Sequence, residues 1–375
     1  MAPAAALSAA LYIGIMSGTS LDGVDAVLAD LGAGIAVLGH VHRPFAEDLR
    51  AELLALNHSG ADELHRAALA GNALARSYAA AVHALLADCG VRAGDVRAIG
   101  AHGQTVRHRP AEFDATGYTI QVLQPALLAE LCGIAVVADL RSRDVAAGGQ
   151  GAPLVPSFHR EVFGRPGRTL AVLNLGGIAN LTLLQAGGST LGFDCGPANA
   201  LLDHWCERHL GTAFDAEGRW AAGGQVLVPL LATMLAEPYF GRPPPKSTGR
   251  DLFNPGWLQT QLAPHPDAGP RDVQATLAEL TARTACEALV RSAPDARELL
   301  VCGGGAGNEH LMTRLAALLP GCDVLPTDAR GLPATQVEAC AFAWLAKAHC
   351  ERRPGNLPAV TGARGARVLG AMYPA

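Results

Sequence analysis

The chain has no long run of one charge sign. Its 34 acidic residues outnumber 29 Lys and Arg for a formal net charge of −5, spread along the sequence. Nucleic-acid binders usually present a basic face, so no nucleic-acid partner is expected. Charged residues are only 17% of the total, which leaves a phosphorylated ligand to be held locally by backbone N–H groups and a metal ion. No stretch approaches the roughly 18–20 uninterrupted apolar residues of a spanning helix, so no membrane partner is expected either. The nine cysteines include no C-x-x-C pair, and each sits among apolar neighbours. That is the usage of small core residues in a reducing compartment. The alanine-rich start, up to Met16, lacks the basic head of a signal peptide and runs straight into a strand-like segment. The expected location is therefore the cytoplasm. There is no H-E-x-x-H or paired Cys/His spacing for zinc, and no G-x-S-x-G elbow of an α/β-hydrolase.

What is present is apolar residues, half of the total, and 43 glycines, several at the ends of apolar runs. With 375 residues, two domains are the reasonable expectation. Leu11 to Met16 reads as a short buried strand, Ser17 to Gly23 as a glycine-containing turn, and Val24 to Leu31 as a second strand. The same design returns downstream, with strand Thr169 to Leu175, turn Gly176 to Asn180 and strand Leu181 to Leu184. Repetition of the pattern, though not of the letters, suggests a duplicated architecture. Between and after these hairpins, helical stretches (Ala61 to Cys89, Leu123 to Gly133, Ala198 to Leu210, Gln274 to Ser292, Ala334 to Cys350) alternate with strands. The strands are Ala98 to Ala101, Ile134 to Ala138 and Leu299 to Cys302. That alternation predicts an α/β fold with mostly parallel sheets and ligands at strand C-terminal ends. The segment Arg141 to Pro156, with Gly148, Gly149 and Gly151, reads as a crossover between lobes.

Three segments carry candidate chemistry. In Ser17-Gly-Thr-Ser-Leu-Asp-Gly23, small residues let backbone amides approach an anion, and Thr19 and Ser20 can donate to phosphate oxygens. Asp22 and Asp25 could hold a hydrated magnesium ion; the plainer reading is an ordinary hairpin turn, where Asp-Gly is common. In Gly192 to Asn199, Asp194 follows a strand and precedes a helix, where it either acts as a general base or caps the helix. In Val301 to Asn308, a G-x-G-x-x-G register from Gly303 meets Asn308 in place of the last glycine. This is a close-packed turn beside an adenosine or ribose rather than a dinucleotide fingerprint. Lys246-Ser-Thr248 mimics the tail of a Walker A loop, but prolines precede it. His102 ends a strand and is a candidate substrate contact, whereas His40, His42, His204 and His209 read as structural or surface residues.

Together these segments resemble the anhydro-N-acetylmuramic acid kinases of bacterial cell-wall recycling. The resemblance rests on MSGTSLDGVD (Met16 to Asp25), AHGQTVRH (Ala101 to His108), DVAAGGQGAPLVP (Asp144 to Pro156) and NLGGIANLT (Asn174 to Thr182). It continues through GFDCGPANALLD (Gly192 to Asp203), PKSTGRDLFN (Pro245 to Asn254) and VCGGGAGN (Val301 to Asn308), in family order. Leu140 departs, standing where the family often has Phe. The resemblance implies two actin-like, ribonuclease H-like α/β lobes with a nucleotide cleft between them, drawn as residues 1–145 plus 363–375 and 146–362. Lobe closure would hinge near Gly148 to Gly151 and around Gly362.

By resemblance, Gly18, Thr19, Ser20, Leu21, Asp22, Gly23, Val24 and Asp25 form the ATP phosphate loop. Gly176, Gly177, Gly303, Gly304 and Gly305 line the rest of the nucleotide site, and Asp194 is the catalytic carboxylate. His102, Arg141 and Glu338 are assigned to the sugar, and Asp22 to Mg²⁺. The implied reaction uses ATP and Mg²⁺ to open a 1,6-anhydro ring and phosphorylate O6; a homodimer is the family expectation. The rival readings are an ordinary hydroxyl-phosphorylating sugar kinase of this fold, a non-catalytic ATP-binding actin-like protein, and a dehydrogenase weakened by the failed fingerprint.

Overall fold

The computed structural model describes residues 10–18, 21–249 and 251–375. It divides into two compact units, one running up to Val162 and resuming at Gln336–Ala375, the other Phe163–Thr335.

In the first unit, β1 (Leu11–Met16), β2 (Gly23–Asp30) and β3 (Ala36–Pro44) form an antiparallel meander. β4 (Val96–Ala101) pairs parallel with β1, a separate hairpin follows as β5 (Gln104–Pro110) and β6 (Gly117–Val122), and β7 (Val136–Ala138) pairs parallel with β4. The C-terminal strand Ala371–Tyr373 closes the sheet antiparallel to β7. Strand alternation sends Ile13 and Ile15 into a core shared with Leu74, Tyr78 and Val82 of the helix Glu63–Cys89. Gly14 faces the other way, and there it and Gly100 meet the helix Val337–Cys350. A Cβ on Gly14 would collide with the Ala339 carbonyl, and one on Gly100 with the Phe342 carbonyl. Backbone against backbone at these two points seats that helix on β1 and β4.

The second unit repeats the plan. β8 (Leu170–Leu175), β9 (Ile178–Leu184) and β10 (Thr190–Pro197) form the meander, and β11 (Glu298–Cys302) and β12 (Asp323–Pro326) extend it in parallel from β8. In both units the main sheet runs third, second, first, fourth, fifth strand, with the same parallel and antiparallel pairs. The duplication expected from the two glycine hairpins is thus present as topology, and each unit is an actin-like lobe. The helix Pro270–Ser292 is buried along nearly its whole length and packs with the helix Asn199–Leu210 into the second core.

The observed division differs from the sequence-based edges. The helix Val337–Cys350 and the segment 146–162 both belong to the first unit, because that helix packs on β1, β4 and β2. Gly148 to Gly151 and Gly362 therefore lie inside the first unit rather than at its edge. Cys350 is exposed and Cys89 and Cys322 half-buried, whereas the other six cysteines are buried as expected, and all nine are free thiols. Among the described residues no helix is long and apolar enough to cross a membrane.

Candidate active site

Within the first unit, the turn after β1 is held from beneath. The Ser17 hydroxyl lies 2.7 Å from Tyr78 Oη and donates to the Gly103 carbonyl at 3.2 Å, and Gln104 Nε2 donates to the Gly18 carbonyl at 3.2 Å. The turn itself places Leu21, buried, at φ +57, with its N–H on the Gly18 carbonyl. Asp22 is exposed, and its Oδ1 accepts from the Gly23 N–H at 3.0 Å. Val24 is fully buried, so only its backbone is available to a ligand. Asp25 Oδ1 meets His40 Nε2 at 2.9 Å and His42 Nδ1 at 3.1 Å, both on β3. Thr19 and Ser20 lie outside the described residues. A nucleotide-bound Mg²⁺ keeps several waters and takes one or two carboxylates plus phosphate oxygens. Exposed Asp22 fits that role; Asp25, engaged by two imidazoles, does not. Among the described residues no cluster of three or more His, Cys, Asp or Glu could hold a metal by itself.

Behind this turn lies a buried polar chain. Arg141 donates from Nε and Nη2 to His102 Nε2, at 3.1 and 2.9 Å, and from Nη1 to the Gly151 carbonyl at 2.9 Å. A guanidinium only donates, so His102 Nε2 is the acceptor and its proton sits on Nδ1, 3.3 Å from the Ser17 carbonyl. Burial and then the Arg141 charge push the His102 pKa well below the ordinary imidazole value. Burial lowers Arg141 itself to about 10, against the opposing pull of Glu338 and Asp144, so it stays charged at neutral pH. His108, against Thr119 Oγ1 at 3.0 Å, is lowered to about 4 by burial and by Arg141. Asp144 is fully buried. It accepts from the Gly151 N–H at 2.8 Å, Asn356 Nδ2 at 2.6 Å and Thr361 Oγ1 at 2.8 Å. His102 and Arg141, singled out in the sequence, are thus hydrogen-bonded partners, the Glu338 charge acts on Arg141, and Asp144, Asn356 and Thr361 are the unforeseen support.

In the second unit, Gly176 and Gly177 form the two-residue turn between β8 and β9, and their carbonyls accept from the N–H groups of Ala198, Asn199 and Ala200. Gly303, Gly304 and Gly305 follow β11 beside them. Gly303 has φ +81, and a Cβ on it would strike Asn174 Oδ1; a Cβ on Gly305 would crowd Leu175. Asn199 Nδ2 donates to the Leu175 carbonyl at 2.9 Å. Asn174 Oδ1 is buried with no donor among the described residues, an acceptor at the strand ends where ligands of α/β sheets bind.

Asp194 sits on β10 at a bulge between Asp194 and Gly196. The following helix, Asn199–Leu210, has Ala198 as its N-cap, so Asp194 does not cap it. Instead its Oδ2 accepts from Ser247 Oγ at 2.9 Å and the Thr248 N–H at 3.0 Å. Tyr239 Oη donates to the Asp194 carbonyl at 2.8 Å. Burial raises the Asp194 pKa to about 6, even though the Thr248 and Ser247 hydrogen bonds and the Lys246 charge act to lower it. An ionisable carboxylate tuned toward neutrality, with both of its recorded hydrogen bonds on one oxygen, is suited to proton abstraction. In the sequence, Ser247 and Thr248 stood out only as a false Walker A tail, with no tie to Asp194, and Tyr239 did not stand out at all. The available signal was the Pro245 to Asn254 motif, which mimics a Walker A tail without being one.

The family model for anhydro-N-acetylmuramic acid kinase matches residues 10–375. The anhydro-N-acetylmuramic acid kinase of Variovorax paradoxus is 62% identical over 371 residues, covering 97% of this chain and 99% of that one. The enzyme of the same name from Albidiferax ferrireducens is 57% identical over 386 residues, covering 97% and 99%. Among solved structures, component A of the Acidaminococcus fermentans (R)-2-hydroxyglutaryl-CoA dehydratase is similar with a TM-score of 0.48 at 12% identity. That match covers 89% of this chain and 96% of that one. By its sequence over nearly its full length, the chain belongs to the anhydro-N-acetylmuramic acid kinase family.

Proposed function

We propose that this chain is a cytoplasmic ATP-dependent kinase acting on 1,6-anhydro-N-acetylmuramic acid in cell-wall recycling, giving N-acetylmuramic acid 6-phosphate and ADP. The observation that carries the reading is Asp194, a desolvated carboxylate with its pKa raised to about 6 and its hydrogen bonds gathered on Oδ2. A 1,6-anhydro sugar has no free 6-hydroxyl, because O6 is bonded to C1. Asp194 takes a proton from water as the water oxygen bonds to C1. The C1–O6 bond breaks, and O6 bonds to the γ-phosphorus as the bond to the ADP oxygen breaks. General-base assistance of this kind is worth about 10²- to 10⁴-fold.

Backbone amides of the Gly18 to Asp25 loop bind the phosphates. Gly176, Gly177 and Gly303 to Gly305 admit the rest of the nucleotide, with Asn174 Oδ1 as an acceptor for one of its donors. Asp22 would hold a magnesium ion together with ATP, and that ion would supply charge neutralisation at the transferring phosphoryl group. Arg141, Glu338 and neutral His102 bind the sugar, Arg141 being the charge that faces its carboxylate. A homodimer is the expected assembly.

The test is an ADP-release assay with Mg-ATP and 1,6-anhydro-N-acetylmuramic acid, with N-acetylmuramic acid and glucose in parallel. Turnover selective for the anhydro sugar is expected. Turnover only with sugars bearing a free 6-hydroxyl would replace ring opening with ordinary kinase chemistry.

A further inference from the structure

The loop that holds Asp194 is itself pinned by one side chain. Lys246 Nζ donates to the carbonyls of Tyr239 and Phe240, each at 3.2 Å, and lies 4.7 Å from the Tyr239 ring centroid. Its backbone carbonyl accepts the Asp194 N–H at 3.3 Å, so the segment from Lys246 runs beside β10. Among the described residues, β10 is the edge strand of its sheet and has no other strand on that side. The next two residues supply both donors to Asp194 Oδ2, and Tyr239, whose carbonyl Lys246 grips, donates its own hydroxyl to the Asp194 carbonyl. Among the described residues, both side-chain hydrogen bonds of Asp194 therefore come from Ser247 and Thr248, next to Lys246, and its carbonyl is met by the Tyr239 turn that Lys246 ties to that segment.

We propose that Lys246 is a positioning residue for Asp194: its ammonium pins the 246–248 segment, whose two donors fix Oδ2 and leave Oδ1 to take the proton. The proposal rests on Asp194 as the base. Removing the ammonium frees the segment from Tyr239 and Phe240, loosens both donors and withdraws a positive charge from beside the carboxylate. All three losses favour the protonated acid. Among the described residues, the other titratable or charged groups around this cluster are Cys195 and Tyr239, whose pKa values are raised chiefly by burial, Arg242 and Arg291, which flank Lys246, and Glu237, whose Oε1 accepts the Tyr239 N–H at 3.3 Å. Arg291 donates to the same Phe240 carbonyl at 3.1 Å and remains in place when Lys246 is replaced, so it does not stand in for the lost contact with Tyr239.

The experiment is the pH profile of kcat for Lys246→Met, Lys246→Arg, Ser247→Ala and Asp194→Asn, with KM for ATP measured alongside. For Lys246→Met, kcat below neutral pH should fall about 10- to 100-fold, with the acid limb moving up by about half to one pH unit and KM for ATP changing less than about twofold. Lys246→Arg, which keeps the charge, should recover most of both. Ser247→Ala removes one donor without touching the anchor and should move the limb the same way by less. If Lys246→Met does not fold, Ser247→Ala carries the test, and a wild-type limb in it overturns the proposal. A wild-type limb in folded Lys246→Met overturns it too, whatever happens to kcat. Asp194→Asn separates the two readings. If it is inactive while Lys246→Met keeps the wild-type limb, only the role of Lys246 fails; if it keeps near wild-type turnover, the base assignment fails with it.

Discussion

The two units share a sheet topology but treat their polar groups differently. In the first, the His102–Arg141–Gly151–Asp144 chain is densely paired. Arg141 donates from Nε, Nη1 and Nη2, and Asp144 accepts three hydrogen bonds while fully buried. In the second, the described residues hydrogen-bond the Asp194 carboxylate on Oδ2 only, and burial raises its pKa to about 6. A densely paired network holds geometry because each member is fixed by the others. A desolvated carboxylate with few partners has a raised proton affinity, at a cost in stability. On the proposed reading, one fold used twice separates positioning from reactivity.

The sharpest way to break the contrast is Asp194→Asn. It should lower kcat by about 10²- to 10⁴-fold while ATP binding, measured by calorimetry, stays within about twofold. The wild-type enzyme should lose kcat as pH drops below about 6, because protonation removes the base.

Next in size is Asp144→Ala, which leaves the Gly151 N–H, Asn356 and Thr361 donors without their acceptor. A loss of about 3–5 kcal/mol in denaturant unfolding is expected, since breaking a buried charged network strands its partners. The same substitution at an exposed carboxylate such as Asp251 should change stability by less than about 0.5 kcal/mol.

Smaller again is Arg141→Lys. An ammonium cannot reproduce donation to both His102 and Gly151, so KM for the sugar should rise about tenfold or more, with KM for ATP nearly unchanged.

The smallest effect runs the other way, because Asp194→Asn should stabilise the protein. The native pKa of Asp194 lies above its unfolded value, so its ionised form is penalised in the native state. Relative stability of the wild type therefore falls as pH rises from about 4 through about 6 and stays low above it. The variant should gain about 1–3 kcal/mol above that window and little below about pH 4, read as a Tm difference across pH.

Much of this was legible in the sequence where the signal is local. Short buried runs flanking Gly176 and the Ser17 to Gly23 turn marked the two hairpins, and Asp194 was marked by its place between a strand and a helix. β3 was not legible, because its residues are half-exposed or exposed and its apolar run, Ala36 to Leu38, is short and interrupted by Gly39. The helix Val337–Cys350 is apolar on nearly every face, so nothing local says which sheet it covers, and the sequence-based domain edge misplaced it. Gly14 and Gly100 gave no warning that they are the contact points for that helix. The support of both polar clusters was hidden for the same reason, since Ser247 reaches Asp194 across 53 residues and Thr361 reaches Asp144 across 217.

The central claim is that water attacks C1 as O6 takes the phosphoryl group, and one experiment addresses both bonds. Turnover of the anhydro sugar in ¹⁸O-water, quenched early and read by mass spectrometry, should place one solvent oxygen at C1 and none in the 6-phosphate. Label in the phosphate group, or unlabelled C1 at times too short for exchange, would contradict it.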